Sequence, residues 1–204
     1  MNSRNGYLND SAGADRPAVV IVHEWWGLNA HIRSVADRFA REGFIAHAVD
    51  LYGGALPKNV AEAQQLVATG DKAQWMTQLT RAVSELRPRA VSLVGFSMGG
   101  AFALATAAHV PELRSCVSFY GAPRPEVDLK PTRAKVLGHF VRNDSWVPEE
   151  RLAQLDAELR GADVPLTLHR YDAQHSFFDE QRPEVYAPEP AKLAWERTLA
   201  FLKT

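Results

Sequence analysis

The sequence predicts an α/β fold: a mostly parallel, doubly wound sheet with helices on both faces. Three observations carry that expectation. Short apolar runs alternate with segments of helical periodicity along nearly the whole chain. Some of those runs, such as 17–23 (PAVVIVH), are continuously apolar, as in strands buried on both faces. Residues 90–108 (AVSLVGFSMGGAFALATAA) join one such run to a helix of small residues through a tight, glycine-flanked turn. At 204 residues the chain fits one domain spanning 1–204, long enough to bury a full core.

The elements follow in order. Residues 1–16 read as loop, with a short edge strand at Tyr7-Leu8, and 17–23 is the first core strand. After a turn at Trp25-Trp26-Gly27, Asn29 caps a helix in which Ile32, Val35, Ala36, Phe39 and Ala40 recur at helical spacing until Gly43. Phe44–Val49 is the next strand, leading into a turn over 50–54, and two helices at 59–69 and 71–86 are stopped by Pro88. The strand opening residues 90–108 feeds a helix running to about His109. Ser115–Tyr120 is a strand, 121–133 a proline-rich loop, and Lys135–Val141 the next strand. A helix over 148–160 has Pro148 in its first turn. Val164–Tyr171 is the last strand, and a helix over 189–203 closes the chain with Leu193, Trp195, Leu199 and Leu202 among its apolar positions. In sheets of this kind the chemistry collects at the carboxyl ends of the strands.

Composition narrows the partners. A formal net charge of −1 supplies no electrostatic footprint for nucleic acid or an anionic membrane. With Cys116 as the only cysteine, neither an intrachain disulfide nor a cysteine-built zinc site is available. The polar first sixteen residues lack the apolar core of a secretion signal, and no run is long enough to cross a bilayer, so a cytoplasmic protein is expected.

Gly95-Phe96-Ser97-Met98-Gly99 is a G-x-S-x-G nucleophile elbow between a strand and a helix, the setting that exposes a serine hydroxyl above a sheet. The flanking glycines answer the close approach of strand and helix, and the helix N-terminus favours an oxyanion beside Ser97. Serine needs a base, itself oriented by a third group. In the chain order nucleophile, acid, histidine, the base is His175, in the loop after the last strand; His169 falls inside that strand and reads as structural. Asp144, after the 135–141 strand, is the acid that fixes the histidine tautomer; Asp172 competes but lies too near His175 in sequence for an easy facing geometry. The Met98 and Trp25 amides are the expected oxyanion donors. His23-Glu24 opens an H-E-x-x-H pattern, but its second histidine would fall at Gly27, so no metal site is expected. The triad requires no cofactor.

With those residues placed, the chain resembles the dienelactone hydrolase family of α/β-hydrolases. The likeness rests on His23-Glu24-Trp25-Trp26-Gly27-Leu28-Asn29, Ala48-Val49-Asp50-Leu51-Tyr52, Gly95-Phe96-Ser97-Met98-Gly99-Gly100, Asn143-Asp144-Ser145-Trp146-Val147-Pro148 and His175-Ser176-Phe177, spread in family order over residues 17 to about 203. The resemblance implies an α/β-hydrolase fold and hydrolysis of esters or lactones. It also matches Glu24 to the family's active-site glutamate, which sits beside the nucleophile and takes part in switching it between resting and activated states. Such a carboxylate raises the basicity of His175 or pairs with an arginine; read without the resemblance, Glu24 is a loop glutamate in solvent.

Two departures stand out. Dienelactone-cleaving members use cysteine where this chain has Ser97, and Cys116 begins a different strand, where it reads as core. Those members hold the substrate carboxylate with two arginines; the corresponding positions read Asp179 and, for the other, the neighbourhood of Val60. Without that clamp an anionic lactone loses charge-assisted contacts, and Asp179 repels it. An aromatic pocket wall is expected from Trp25, Trp26, Tyr120, Trp146, Phe177 and Phe178, in an open site, for a neutral, partly apolar ester or lactone of modest size. Two other readings stay open: an acyltransferase, thioesterase or small peptidase on the same triad, or a non-catalytic binding protein of this fold.

Overall fold

A computed structural model of the protein describes residues 5–13 and 15–204. Residues 1–4 and Ala14, part of the loop expected over 1–16, lie outside the described residues. The elements are β1 (Gly6–Asn9), β2 (Ala18–Val22), α1 (Ala30–Arg41), β3 (Ile45–Val49), α2 (Val60–Thr69), α3 (Lys72–Glu85), β4 (Val91–Phe96), α4 (Met98–Ala107), β5 (Ser115–Phe119), β6 (Lys135–Val141), α5 (Glu149–Gly161), β7 (Leu166–Tyr171) and α6 (Pro188–Lys203). The strands form one sheet in the order β1-β3-β2-β4-β5-β6-β7. Among the strands of the described residues only β1 runs antiparallel, pairing Gly6–Asn9 with Val49–Ala46 of β3. Neighbours grow outward from β2 and β4 in opposite directions, so these two central strands bracket the switch point at which α/β sheets open a crevice.

Strand periodicity sends alternate side chains of β2 to two separate cores. Val19 and Ile21 meet Ile32, Val35 and Phe39 of α1 and Ala194 and Leu202 of α6. Val20 and Val22 face the opposite layer, with Trp75 and Leu79 of α3, Leu104 of α4 and Leu155 of α5. Both faces of the sheet are therefore dry, which is why its inner strands read as unbroken apolar runs. The side-chain oxygen of Asn29 caps α1 by accepting from the Ile32 N–H at 3.1 Å, as the sequence predicts.

Three details differ from the sequence reading. Pro148 is the N-cap of α5, in extended geometry at φ −56° and ψ 151°, rather than a residue of its first turn. The last strand begins at Leu166, not Val164. Leu193 is exposed, because α6 turns Ala191, Ala194, Thr198 and Leu202 toward the sheet, and small side chains there let the helix approach closely. Among the described residues, no helix is long and apolar enough to cross a membrane.

Candidate active site

Ser97 sits at the tip of the β4–α4 turn with φ 50° and ψ −117°, a backbone region that a residue with a Cβ enters at a cost of about 1–3 kcal/mol. The surroundings hold it there. The Ser97 N–H donates to the Phe119 carbonyl at the end of β5 at 2.9 Å, and the Ala101 N–H donates back to the Ser97 carbonyl at 3.1 Å. Gly95 and Gly99 are dictated by packing: a Cβ on Gly95 would strike the Gly99 carbonyl, and one on Gly99 would strike the carbonyls of Val22 and His23.

The three residues expected to form the triad come together. His175 Nε2 lies 2.7 Å from Ser97 Oγ, and His175 Nδ1 lies 2.8 Å from Asp144 Oδ2. A carboxylate only accepts, so Nδ1 carries the proton and Nε2 is left to accept from the serine hydroxyl. Asp144 is buried, and its other oxygen accepts from the Trp146 N–H at 2.8 Å, so both oxygens are fixed. Asp172 is elsewhere, paired with Arg142 in solvent at 3.1 Å. His169, in β7, stacks on His139 with centroids 5.8 Å apart, in keeping with a structural role. Four of the five described non-glycine residues with positive φ adjoin this site: Ser97, Tyr120, Asn143 and Ser176. Strain thus collects where three strand ends deliver the side chains.

Trp25 and Met98 both line the cavity in front of Ser97. Among the described residues, neither backbone N–H donates to a protein acceptor. Met98 opens α4, so its amide belongs to the helix's unsatisfied first turn.

Glu24 is 2% exposed, which overturns the picture of a solvent-facing loop glutamate. Its Oε1 accepts from Tyr120 Oη–H at 2.8 Å and its Oε2 from Ser176 Oγ–H at 3.2 Å. Burial pushes its carboxyl above the ordinary range, against the pull of the Tyr120 hydrogen bond. Tyr120 is itself fully buried and pushed well above the ordinary phenol range, first by burial and then by the Glu24 charge. His23 orders the residue that follows it: its Nε2 accepts from the Leu51 N–H at 3.1 Å, which leaves Nδ1–H to donate to the Glu24 carbonyl at 2.6 Å.

The cavity encloses about 650 Å³ and contains all three relay residues. Trp25 makes edge contacts with Trp26 at 5.5 Å and Trp146 at 5.1 Å, and Trp146 is 59% exposed at the rim. Trp25, Trp26, Tyr120 and Trp146 line it as expected. Phe177 and Phe178 do not: both are buried in the α1–α6 core, because Ser176 at φ 64° turns the chain back under the loop. Asp179 is also absent from the wall; it is 2% exposed and sits 3.4 Å from His31 of α1, so it does not face a substrate. The sequence reading missed Val67 and Val185 on the apolar wall and Arg142 and Arg182 on its rim. Val60 lines the wall too, though it entered the sequence reading only as a position lacking arginine. The available signal for Val60 and Val67 was α2 itself, on which the two, seven residues apart, share a face. Both rim arginines are already paired, Arg182 with Glu184 at 2.9 Å and Arg142 with Asp172 at 3.1 Å.

A mostly parallel sheet with its switch point at β2 and β4, and a strained serine elbow on β4, defines an α/β-hydrolase. Residues 5–204 match the model of the dienelactone hydrolase family, and the chain belongs to that family, whose members hydrolyse ester and lactone bonds. Among curated relatives, the protein usf of Aquifex pyrophilus is 30% identical over 203 residues, covering 92% of this chain and 87% of that one. Among solved structures, a dienelactone hydrolase-like promiscuous phosphotriesterase from metagenomic libraries superposes with a TM-score of 0.84 at 27% identity, covering 94% of this chain and 87% of that one.

Proposed function

We propose that this protein is a serine hydrolase that cleaves neutral carboxylic esters or lactones through an acyl-enzyme. The observation that carries the reading is the unbroken relay from Ser97 Oγ through His175 to Asp144, at 2.7 and 2.8 Å. Ser97 Oγ attacks the carbonyl carbon as its proton passes to His175 Nε2, and Asp144 stabilises the resulting imidazolium. The tetrahedral oxyanion accepts from the Met98 and Trp25 N–H groups, a contribution of about 3 kcal/mol per donor at such sites. Collapse expels the alcohol, which takes the proton from His175 Nε2. Water, deprotonated by the same nitrogen, then attacks the acyl carbon and frees Ser97.

Pairing of both rim arginines within the fold favours a neutral substrate, since an anionic one would have to displace Glu184 or Asp172. The three tryptophans favour one with a flat or apolar portion. The test is hydrolysis of p-nitrophenyl esters from acetyl to octanoyl. Wild type is expected to turn them over with an optimum chain length set by the cavity, and Ser97→Ala to lose about a thousandfold or more. Equal rates in the two proteins would remove the serine from the chemistry and move the binding-protein reading ahead.

A further inference from the structure

Two of the described residues with left-handed backbone, Tyr120 at φ 41° and Ser176 at φ 64°, bond the same buried side chain. Tyr120 Oη–H donates to Glu24 Oε1 at 2.8 Å, and Ser176 Oγ–H donates to Glu24 Oε2 at 3.2 Å. A carboxylate has two oxygens to offer, and here each is taken by a hydroxyl from a different loop. Among the described residues, neither oxygen bonds Ser97 or His175. Glu24 is thus committed to partners other than the nucleophile that the family resemblance would have it switch.

Ser176 is the more telling partner. The Phe177 N–H donates to the Gln174 carbonyl at 3.1 Å, closing a turn whose central residues are His175 and Ser176. At the second central position a positive φ favours glycine, as in type II turns. Serine holds that place instead, and its hydroxyl is what reaches Glu24. Tyr120 repeats the arrangement at the end of β5. Its N–H still donates to the His139 carbonyl at 2.7 Å, while its ring lies 5.0 Å from that of His175 and its hydroxyl on Glu24. Left-handed residues that carry side chains persist where their surroundings over-determine them, and the Glu24 carboxylate is the fixture common to both.

Each tethered residue adjoins a working part of the site. Glu24 precedes Trp25, whose N–H is assigned to the oxyanion, and its own carbonyl accepts from His23 Nδ1–H at 2.6 Å and the Gly27 N–H at 3.1 Å. Tyr120 follows Phe119, whose carbonyl holds the Ser97 N–H at 2.9 Å. Ser176 follows His175. We propose that Glu24 is a positioning residue whose carboxylate ties together the loops after β2, β5 and β7, and so sets the Trp25 amide, Ser97 and His175 relative to one another. This rests on the reading of Ser97 and His175 as nucleophile and base. Glu24 carries no proton in the reaction and acts only through the alignment of the groups that do.

The test is p-nitrophenyl acetate kinetics for Glu24→Ala, Glu24→Gln and Ser176→Gly, read beside urea unfolding. Glu24→Ala cuts both tethers, and kcat is expected to fall about a hundredfold with KM little changed. Glutamine keeps the tethers without the charge, its Oε1 accepting from Tyr120 and its Nε2 donating to Ser176 Oγ. Glu24→Gln is therefore expected to stay within about fivefold of wild type. Ser176→Gly removes one tether while giving the turn its preferred residue, so kcat is expected to fall about tenfold with the urea midpoint unchanged or higher. Equal losses in Glu24→Gln and Glu24→Ala would make charge the contribution and overturn the proposal. So would a wild-type kcat in Glu24→Ala or Ser176→Gly, or a loss in Ser176→Gly that tracks a lower urea midpoint. Proton NMR gives a readout that needs no activity. The downfield Nδ1–H of His175, bonded to Asp144, is expected to be sharp in wild type and Glu24→Gln and lost to exchange in Glu24→Ala. An unaltered resonance in Glu24→Ala overturns the tether. Failure of wild type to hydrolyse any ester would instead count against the Ser97 reading, with the resonance still deciding the tether.

Discussion

His175 is where the chemistry of single residues meets, because Nδ1 and Nε2 face different partners at 2.8 and 2.7 Å. Asp144→Asn keeps the shape but turns a donor toward Nδ1, favouring the wrong tautomer. Steady-state kinetics are expected to show kcat falling by about 10³–10⁴ with KM little changed. Asp172→Asn should leave both constants alone, since its carboxylate only meets Arg142 in solvent. That Ser97, Asp144 and His175 come together was legible in the sequence because each lies in a segment directly after a strand. Phe177 and Phe178 were not, since only the left-handed backbone of Ser176 sends them into the core. Nothing local to Asp179 told of His31, which lies on the far side of the chain in α1.

At the scale of elements, the loop after β2 is aimed by its junction with the loop after β3. His23 is wholly buried between them, bonded to the Leu51 N–H and the Glu24 carbonyl, and burial pushes its imidazole from 6.5 down to about 4. Between those values the unfolded chain binds a proton that the folded chain refuses. Stability therefore rises with pH through that window and is lost as pH falls from about 6.5 toward 4, by ~3 kcal/mol for this group. Buried His139, pushed down in the same way, adds to the same slope. Urea unfolding across that range should show the loss, with a shallower slope in His23→Asn; an equal slope would remove His23 from the account. The strands were readable because burial on both faces leaves continuous apolar runs. The shared face of Val60 and Val67 on α2 was readable too, but not that it meets a cavity, since that depends on the neighbours a mostly exposed helix is laid against.

For the whole molecule, sheet order places the serine, acid and histidine loops at one edge, beside a cavity of about 650 Å³ whose rim carries the exposed Trp146. Alternation of strands and helices foretold the sheet, and the elbow foretold the edge. The sequence reading of the rim's charge came only part way. Missing arginines were noticed, but Arg182 and Arg142 reach the cavity from positions whose partners, Glu184 and Asp172, are set by loop folding. The central claim is that Ser97 becomes covalently acylated during turnover. Its most direct test is acid quenching of the protein in the presence of excess p-nitrophenyl ester, followed by mass spectrometry of the peptide containing residue 97. The account predicts that peptide one acyl group heavier in wild type and unmodified in Ser97→Ala. Continued turnover in Ser97→Ala, with no acylated peptide in wild type, would contradict it.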